Sequence, residues 1–521
     1  MNKLTFLLVS VILVNYVCSY NLLLVFPHPG RSHAILGAGY VRHLLNAGHE
    51  ITYITPVPID PHPKLKQIDV SSHFAAFEKE LKVTNYESLK TFGDDVRNSE
   101  YLYNLLLDLQ NKCVSDENIQ KFLKENNEKF DLAIIQWLYS EFNSGFAAVF
   151  NIPYIWASSF EVHPAILSLI DEPQSPAYFR DHISPVTPPL TFIERANELW
   201  LLIQLFLTRR GLTDKSEKAF SKAYGPAADK RGITLPTLEE FKYKSSLVFG
   251  NSYPIVGEAY KLPQNYIPVG GFHIEEKVKP LPEKIQKIMD ESENGVIYFS
   301  MGTVIKAKTM PIKMKMDLLK VFRELKQTVI WKLEEDLPDM PENVHILKWA
   351  PQQSILAHPN CKLLVSHGGL LSISEALHYG VPIVGIPLFA DHHVNMIRAV
   401  KRGFALQLDL SGEMTEKLKI AIHEMLSNPK YREKVKDFSF IYRHRPLKPG
   451  AAIVHWVEHV IKTKGAPHLR SPALYVPLYQ KLYLDLIALL ITGILALVGL
   501  LKKMLGYLRK NRKNIKVKKN K

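Results

Sequence analysis

Cysteine is scarce in this chain of 521 residues, which contains three. Cys18 falls in an apolar N-terminal run, and Cys113 and Cys361 lie far apart and are expected in different domains. A disulfide framework like that of small secreted proteins is therefore not expected. The chain also lacks any Asn-x-Ser/Thr acceptor, so N-glycosylation provides no evidence about its compartment.

Two common nucleotide-binding motifs are missing as well. The first strand-to-helix turn reads FPHPGRSH, without Gly-x-Gly-x-x-Gly, and no P-loop Gly-Lys-Ser/Thr occurs anywhere. A simple NAD-binding or ATP-hydrolysing protein is therefore disfavoured.

Acidic residues are absent from the last twenty positions, residues 502–521, which hold ten Lys and Arg. The net charge of +14 comes mostly from this tail, because the rest of the chain has 55 basic and 51 acidic residues. An extended surface that follows nucleic-acid phosphates is therefore not expected.

Both ends of the chain carry membrane-targeting patterns. Residues 1–19 have a lysine, an apolar run and small residues at the end, which is the pattern of a cleaved secretory signal peptide. Residues 482–501 are largely apolar and long enough to span a bilayer core of about 30 Å. Because the basic tail 502–521 follows directly, we predict a single-pass type I protein with a lumenal body and a cytosolic tail. Lys518 and Lys519 resemble a dilysine signal, which favours the endoplasmic reticulum membrane.

Strand and helix patterns alternate in two parts of the chain. NLLLVFP, a helical stretch at residues 32–47 and EITYITP follow one another near the start, and the alternation returns at NGVIYFSMG from Asn294. This order predicts parallel sheets with helices on both faces. We expect two Rossmann-like doubly wound domains facing a cleft, at residues 20–250 and 294–465. A Pro- and Gly-rich linker at 251–293 joins them, and a juxtamembrane segment at 466–481 precedes the span.

One apolar segment, ELWLLIQLFLTRRG from Glu198, has two interpretations. It is apolar enough to pack on a core or to lie against a bilayer surface. Core packing is the commoner outcome and is the prediction adopted.

The densest set of reactive residue types lies in residues 348–396. KLLVSHGG reads as a strand that ends in a histidine and two glycines, and a helix is expected from about Ser372. Glycines let a ligand approach the backbone closely, and free NH groups at a helix start attract phosphate. Ser372 and Glu375 also form a Ser-x-x-Glu capping box, which stabilises a helix in any protein. The residues alone leave both interpretations open.

This stretch resembles the signature of the UDP-glycosyltransferases, the glucuronosyl and glucosyl transferase family. YFSMGT, KWAPQ, IPVGGF and RSH occur where the family has related motifs, and HGGLLS is most similar to insect members. The resemblance implies a GT-B type fold, in which the N-terminal domain binds an acceptor and the C-terminal domain a UDP-sugar. Leu371 stands where vertebrate and plant relatives commonly have asparagine, so one donor contact is expected to be missing. The matching signature positions are Ser366, His367, Gly368, Glu375, Pro382, Pro387 and Asp391.

The resemblance also implies the residues that bind the donor, with no metal and no cofactor besides the UDP-sugar. Trp349 is expected to stack on uracil and Gln352 to bond its edge, because a flat indole suits a flat base. His367 and the NH groups after it are expected to hold the pyrophosphate, where positive helix-end charge stabilises departing UDP. Glu375 is expected to bind the ribose hydroxyls. The other implied contacts are Ser300, Gly302 and Thr303 by the phosphates, Gly369 and Ser372 after the histidine, and Asp391 and His392 on the sugar.

His33 is the catalytic base that the resemblance implies. With Ser32 as the expected cap, the imidazole lies in the first turn of a helix, where the dipole keeps it neutral and able to accept a proton. The acceptor oxygen then displaces UDP with inversion. The family usually has an acidic partner for this histidine where this chain has Gln136. Three outcomes stay open: reduced activity, substitution by Glu141, or binding without turnover.

The segment FADHHVNM invites a metal-site interpretation. Adjacent histidines on a helix point about 100° apart and this segment has no His-x-x-x-His, so a metal is disfavoured. Asp391 suits a helix N-cap. In the family this position reads Asp-Gln and binds the transferred sugar. Here His392 replaces the glutamine, as in some galactose-transferring relatives, so UDP-glucose is the first choice of donor and UDP-galactose the second.

The acceptor is expected to be a small lipophilic hydroxyl compound, such as a phenol, flavonoid or steroid in detoxification. The alternative function is a protein on the same scaffold that binds a UDP-sugar or a lipophile without catalysis. A homo-oligomer is left open, and no nucleic-acid partner is expected.

Overall fold

The computed structural model describes residues 19–74, 86–89, 99–181, 184–411 and 413–519. Its contacts divide the chain into two compact units, Met1–Arg470 and Ser471–Lys521. The predicted signal peptide, apart from Ser19, lies outside the described residues, as does the end of the dilysine motif.

The first unit contains two wholly parallel sheets. The seven-stranded sheet has the order β3-β2-β1-β4-β5-β6-β7. Its strands are β1 Asn21–Val25, β2 Glu50–Thr55, β3 Leu65–Asp69, β4 Leu132–Trp137, β5 Tyr154–Ser158, β6 Leu247–Gly250 and β7 Tyr266–Pro268. The central strands are buried almost throughout and largely apolar because helices cover both faces, as in other parallel sheets. The strand order reverses between β1 and β4, where doubly wound sheets bind ligands.

The second sheet has six strands in the order β10-β9-β8-β11-β12-β13. They are β8 Val296–Ser300, β9 Thr328–Lys332, β10 Val344–Leu347, β11 Cys361–Ser366, β12 Ile383–Gly385 and β13 Ala405–Gln407. The order reverses between β8 and β11, which pair in register from Leu363 to Ser366. Two doubly wound sheets confirm the predicted α/β class.

Helices connect the strands of both sheets. In the N-terminal part they are α1 Arg31–Asn46, α2 Ser99–Val114, α3 Glu117–Glu125, α4 Gly145–Phe150, α5 Pro164–Leu167, α6 Phe192–Gly211, α7 Thr213–Lys230 and α8 Leu238–Phe241. Around the second sheet they are α9 Glu283–Glu291, α10 Ile312–Arg323, α11 Gln352–Ala357, α12 Leu370–Tyr379, α13 His392–Lys401, α14 Met414–Ser427, α15 Lys430–Arg443 and α16 Pro449–Lys462. The second unit contains α17 Leu478–Lys481 and α18 Leu484–Lys519.

Helix α16 follows the second sheet in the chain but belongs to the core of the first. Its buried Ile453 and Val457 join the apolar cluster that includes Leu22 and Leu24 of β1. Gly450 lies so close to α1 that a Cβ there would be 2.2 Å from the His43 ring. The predicted domain boundaries stay a prediction. Helix α16 lies within the predicted C-terminal domain, residues 294–465, but packs on the sheet of the N-terminal domain.

The C-terminal helix is long and apolar enough to cross a membrane over Leu484–Arg512. No part of its apolar stretch is buried against the described parts of the protein, which is what a helix surrounded by lipid requires. The prediction ended the apolar span at residue 501, whereas the helix continues through the basic tail to Lys519. Helix α6 packs on the core only in part: Leu205 contacts the core of the first sheet, whereas the buried residue of the helix is Glu198.

Candidate active site

The first part of the site lies where β1 and β4 end. His33 is in the first turn of α1, as predicted, and Gln136 is on β4. The expected cap was wrong: Gly30 occupies the N-cap and Ser32 is already inside the helix. Since β1 and β4 are neighbours at the reversal of strand order, their ends bring the two side chains together.

The side chains of His33, Gln136 and Ser159 form a closed triangle of polar contacts, with the Nδ1 atom of His33 at one corner. Gln136 Nε2 lies 2.7 Å from His33 Nδ1, and Ser159 Oγ lies 3.1 Å from it. Gln136 Nε2 also donates to Ser159 Oγ at 3.0 Å. The resemblance did not point to Ser159; its place directly after β5, the strand beside β4, was the signal that could have found it.

Burial lowers the pKa of His33 to about 4, and the negative charge of Asp391 opposes that shift. The ring of His28 lies 4.2 Å from that of His33, centroid to centroid. Burial, and then the neighbouring His33, lower the pKa of His28 as well. Both imidazoles are therefore neutral near pH 7, as a general base must be.

Glu141 is engaged elsewhere. Its Oε1 accepts a hydrogen bond from Trp137 Nε1 at 3.0 Å and lies 3.2 Å from Arg209 Nη2. Burial acts to raise the pKa of Glu141, but Arg209 and then Lys242 hold it below its usual value. The hydrogen-bond partners of His33 Nδ1 are Gln136 and Ser159, so Glu141 is disfavoured as the partner of the histidine.

The predicted uracil and ribose contacts lie together. Gln352 Nε2 donates to Glu375 Oε2 at 2.6 Å and to Ser372 Oγ at 3.1 Å. Gln353 Nε2 donates to the other carboxylate oxygen at 3.2 Å, a contact that sequence reasoning missed. His273 Nε2 lies 3.4 Å from the same oxygen. The Glu375 carboxylate is therefore held rigidly from both sides.

The expected capping box is absent. Helix α12 begins at Leu370 with Gly369 at its N-cap, and no side chain caps it. Ser372 is the third helical residue, and its hydroxyl accepts from Gln352 instead. Of the two interpretations of this turn, the one in which Ser372 and Glu375 cap the helix is wrong.

Glycines pack tightly around His367 in the predicted pyrophosphate turn. Gly302 has φ 84°, and a Cβ there would lie 2.7 Å from the imidazole. A Cβ on Gly369 would lie 2.5 Å from His367 Nε2. Ser300 ends β8 opposite Ser366 on β11, and Thr303 follows in the next turn. Because side chains larger than hydrogen do not fit at Gly302 and Gly369, the backbone NH groups stay close to the ring.

The segment after β12 places Asp391 and His392 at the start of α13. Asp391 occupies the N-cap as predicted, but its Oδ2 accepts from Asn395 Nδ2 at 2.7 Å rather than from the backbone. His392 is buried, with its ring 4.5 Å from that of His367. Burial, and then His393, lower the pKa of His392 to about 3. His392 Nδ1 accepts from the Phe389 amide at 3.5 Å, so Nε2 carries the proton and can donate to a ligand oxygen.

Burial also lowers the pKa of His367 to about 3, aided by His392 and opposed by Asp391. Asp391 thus acts electrostatically on His367, which follows β11 of the second sheet, and on His33, which lies in α1 beside the first sheet. A direct contact joins the same halves, because the guanidinium of Arg31 lies 5.2 Å above the ring of Trp349. Trp349 is 54% exposed, so its indole is accessible for stacking.

A cavity of about 480 Å³, open solvent included, lies beside the triangle. Its lining includes His28, Gln136 and Asn143 with the apolar Pro27, Leu106 and Leu138. No cluster of three metal-ligating side chains occurs in the described parts of the chain.

Comparison with known proteins connects this geometry to one family. The family "UDP-glucoronosyl and UDP-glucosyl transferase" matches residues 21–521. The chain is 33% identical over 484 residues to UDP-glucosyltransferase 2 of Dactylopius coccus, covering 92% of each protein. It is 28% identical over 484 residues to UDP-glucuronosyltransferase 2B15 of Rattus norvegicus, covering 89% of this chain and 88% of the relative.

Solved glycosyltransferase structures share the fold. The calicheamicin glycosyltransferase CalG4 matches with a TM-score of 0.56 at 16% identity, over 85% of this chain and 99% of its own. A UDP-glucosyltransferase from Polygonum tinctorium matches with a TM-score of 0.52 at 14% identity, over 85% and 99%. Two parallel sheets in GT-B arrangement are therefore shown for this chain.

Proposed function

The chain belongs to the UDP-glycosyltransferase family, and from this premise we propose that it transfers a hexose, with inversion and without a metal, to a hydroxyl of a small lipophilic acceptor. UDP-glucose is the first choice of donor and UDP-galactose the second. The observation that carries the proposal is the half-buried, neutral His33, held by Gln136 and Ser159 beside a cavity. We also propose that α18 anchors the chain in the membrane of the endoplasmic reticulum and that the rest of the protein is lumenal.

The proton transfer requires His33 to hold a proton on Nδ1 and to leave Nε2 free. With the Gln136 amide nitrogen toward the ring, Nδ1 accepts and the proton stays on Nε2. Turning the amide places Oε1 against Nδ1–H, and Ser159 then donates its hydroxyl hydrogen to the same oxygen. In that arrangement Nε2 takes the acceptor's proton, so an amide can support the base.

The amide differs from an acid in one respect. A carboxylate would stabilise the imidazolium that forms in the transition state by charge, whereas an amide offers only a hydrogen bond. We therefore propose reduced but real activity.

The donor residues act on the leaving group. Trp349 stacks on uracil, Gln352 binds its edge, and the rigidly held Glu375 takes the ribose hydroxyls. His367 and the NH groups at the start of α12 stabilise the negative charge that develops on UDP. His392 donates from Nε2 to a sugar oxygen beside Asp391.

Acceptor-dependent release of UDP from microsomes tests this function. UDP-glucose and UDP-galactose are each offered with a panel of phenols, flavonoids and steroids. We expect release with at least one pair and its loss in His33→Ala, while His423→Ala, which changes an exposed histidine on α14, retains it.

A binding protein without turnover is the second candidate, favoured by Gln136 in place of an acid. It predicts that UDP-sugar binds but that no acceptor causes UDP release. UDP release that persists in His33→Ala would instead show that this histidine is not the base.

A further inference from the structure

The turn that follows β7 packs on the cores of both sheets. Phe272 is buried in the apolar cluster that includes the residues of β1. Ile274 is buried in the cluster that includes residues of β8 and β11. His273 stands between these two anchors in the chain and is itself 2% exposed. We call this segment, residues 270–275, the junction turn.

Helix α1, which carries the proposed base, holds one side of the junction turn. Arg42 Nη2 donates to two carbonyl oxygens of the turn, at 2.9 Å and 3.3 Å. His43 Nε2 donates to the Phe272 carbonyl at 2.8 Å. Gly39 allows the close approach, because a Cβ there would lie 2.9 Å from the Phe272 ring and 3.2 Å from His273 Cα. The position of the turn is therefore tied to the position of α1.

The other side of the junction turn holds the proposed ribose-binding carboxylate. His273 Nε2 lies 3.4 Å from Glu375 Oε1. The Glu275 amide donates to Gln353 Oε1 at 2.9 Å, and this contact turns the amide nitrogen of Gln353 toward Glu375. That nitrogen donates to the same carboxylate oxygen at 3.2 Å. The turn thus acts on Glu375 twice, directly through His273 and indirectly through Gln353.

The surroundings of Glu375 leave little freedom to its carboxylate. A carboxylate offers about four lone-pair sites to hydrogen-bond donors. His273, Gln353 and Gln352 take three of them, so about one is left for a ligand hydroxyl. No other group in the described parts of the chain bonds either ring nitrogen of His273. Without this histidine, the carboxylate could rotate toward its two remaining donors.

We propose that His273 is a positioning residue, which orients the Glu375 carboxylate for a ribose hydroxyl of the nucleotide. The inference rests on the proposed role of Glu375 in donor binding. It assigns the preference for ribose over deoxyribose to a residue that touches neither sugar. Because α1 holds the junction turn, the helix of the base and the ribose site share one support.

Binding of UDP and of its 2′-deoxy analogue, dUDP, to the full-length chain in detergent tests the proposal. The two ligands differ in one hydroxyl, so the ratio of their Kd values reports the ribose contact. Calorimetry measures both ligands for each variant, and a thermal midpoint checks that the variant is folded. His423→Leu, which changes an exposed histidine on α14, is the matched control.

Three substitutions at one position separate the donor from the bulk of the side chain. His273→Leu has a similar volume and no donor. His273→Asn has an amide that reaches the place of Nδ1 but not that of Nε2, and it gives a second test if the leucine variant does not fold. His273→Gln places an amide nitrogen near the position of Nε2 and should restore the contact.

We expect the parent protein to bind UDP about tenfold or more tightly than dUDP, as for a hydrogen bond to a charged acceptor. His273→Leu and His273→Asn should reduce this ratio to about threefold or less by weakening UDP alone. His273→Gln and His423→Leu should keep most of the ratio. Arg42→Met, which releases the junction turn from α1, should lower the ratio in the same direction.

Equal weakening of UDP and dUDP in the leucine and asparagine variants would overturn the proposal, because it would indicate a general distortion of the site. An unchanged ratio in these variants, or a ratio near one in the parent protein, would overturn it as well. The transferase function fails separately. A chain that shows the expected change in ratio but releases no UDP with any acceptor would keep the role of His273 and lose the proposed catalysis.

Discussion

Replacing Gln136 by glutamate tests which group supports the catalytic histidine. The amide nitrogen lies 2.7 Å from His33 Nδ1, and glutamate has the same length, so a carboxylate oxygen occupies the same place. Ser159 Oγ, 3.0 Å from that atom, remains as its second partner. Aspartate is one methylene shorter and would leave a gap, which makes glutamate the sharper change.

The magnitude follows from the charge. A hydrogen bond to a charged group contributes about 1.5–3 kcal/mol, against about 0.5–1.5 kcal/mol for a neutral one. The difference of about 1–1.5 kcal/mol corresponds to an increase in kcat of about tenfold. The carboxylate also favours the imidazolium and therefore raises the pKa of His33, which burial lowers to about 4. Because the base works only when neutral, the variant should lose activity at a higher pH on acidification.

The assay is the pH profile of kcat and kcat/KM for UDP release with one saturating acceptor. Gln136→Met, of similar length but without a hydrogen bond to offer, is the control and should fall below the parent protein. A thermal midpoint for each variant separates misfolding from lost catalysis. If glutamate and methionine both give the parental rate and the parental acid limb, Gln136 does not support the base.

Three further substitutions probe the rest of the site. Ser159→Ala should lower kcat about threefold to tenfold, as for the loss of a buried neutral hydrogen bond, with the KM for UDP-sugar unchanged. Trp349→Ala should raise the donor KM by about tenfold or more if the indole stacks on uracil, since such stacking contributes about 1–3 kcal/mol. His392→Gln should change the ratio of kcat/KM for UDP-glucose to that for UDP-galactose, and an unaltered ratio would remove His392 from sugar recognition.

Much of the fold could be predicted because it depends on repeated patterns. The continuous apolar runs of β1 and β4 and the helices between strands are local properties, and they determined the α/β class. The direction of α6 could not be predicted, because the burial of Glu198 depends on Asp181 and Ser184 in a loop that carries no periodic pattern.

Local capping patterns failed for a related reason. Ser372 and Glu375 have the spacing of a capping box, yet Gln352 binds both side chains from another helix. Asp391 has the position of a cap, yet its carboxylate binds Asn395. In each case a polar side chain expected to stabilise its own helix is used at the candidate site, where sequence spacing gives no information about partners from other elements.

The position of Asp391 bears on why Gln136 is tolerable. An imidazole base needs negative charge nearby when it becomes an imidazolium, and Gln136 supplies none. Asp391 lies at the start of α13 in the second sheet's half, but its charge raises the pKa of His33 against the effect of burial. Part of the missing charge therefore comes from the residue proposed to bind the sugar. Base strength and donor binding would then be coupled through one carboxylate. Changing Asp391 to asparagine should therefore weaken both, and it should lower the rate of the Gln136→Glu variant less than the rate of the parent protein.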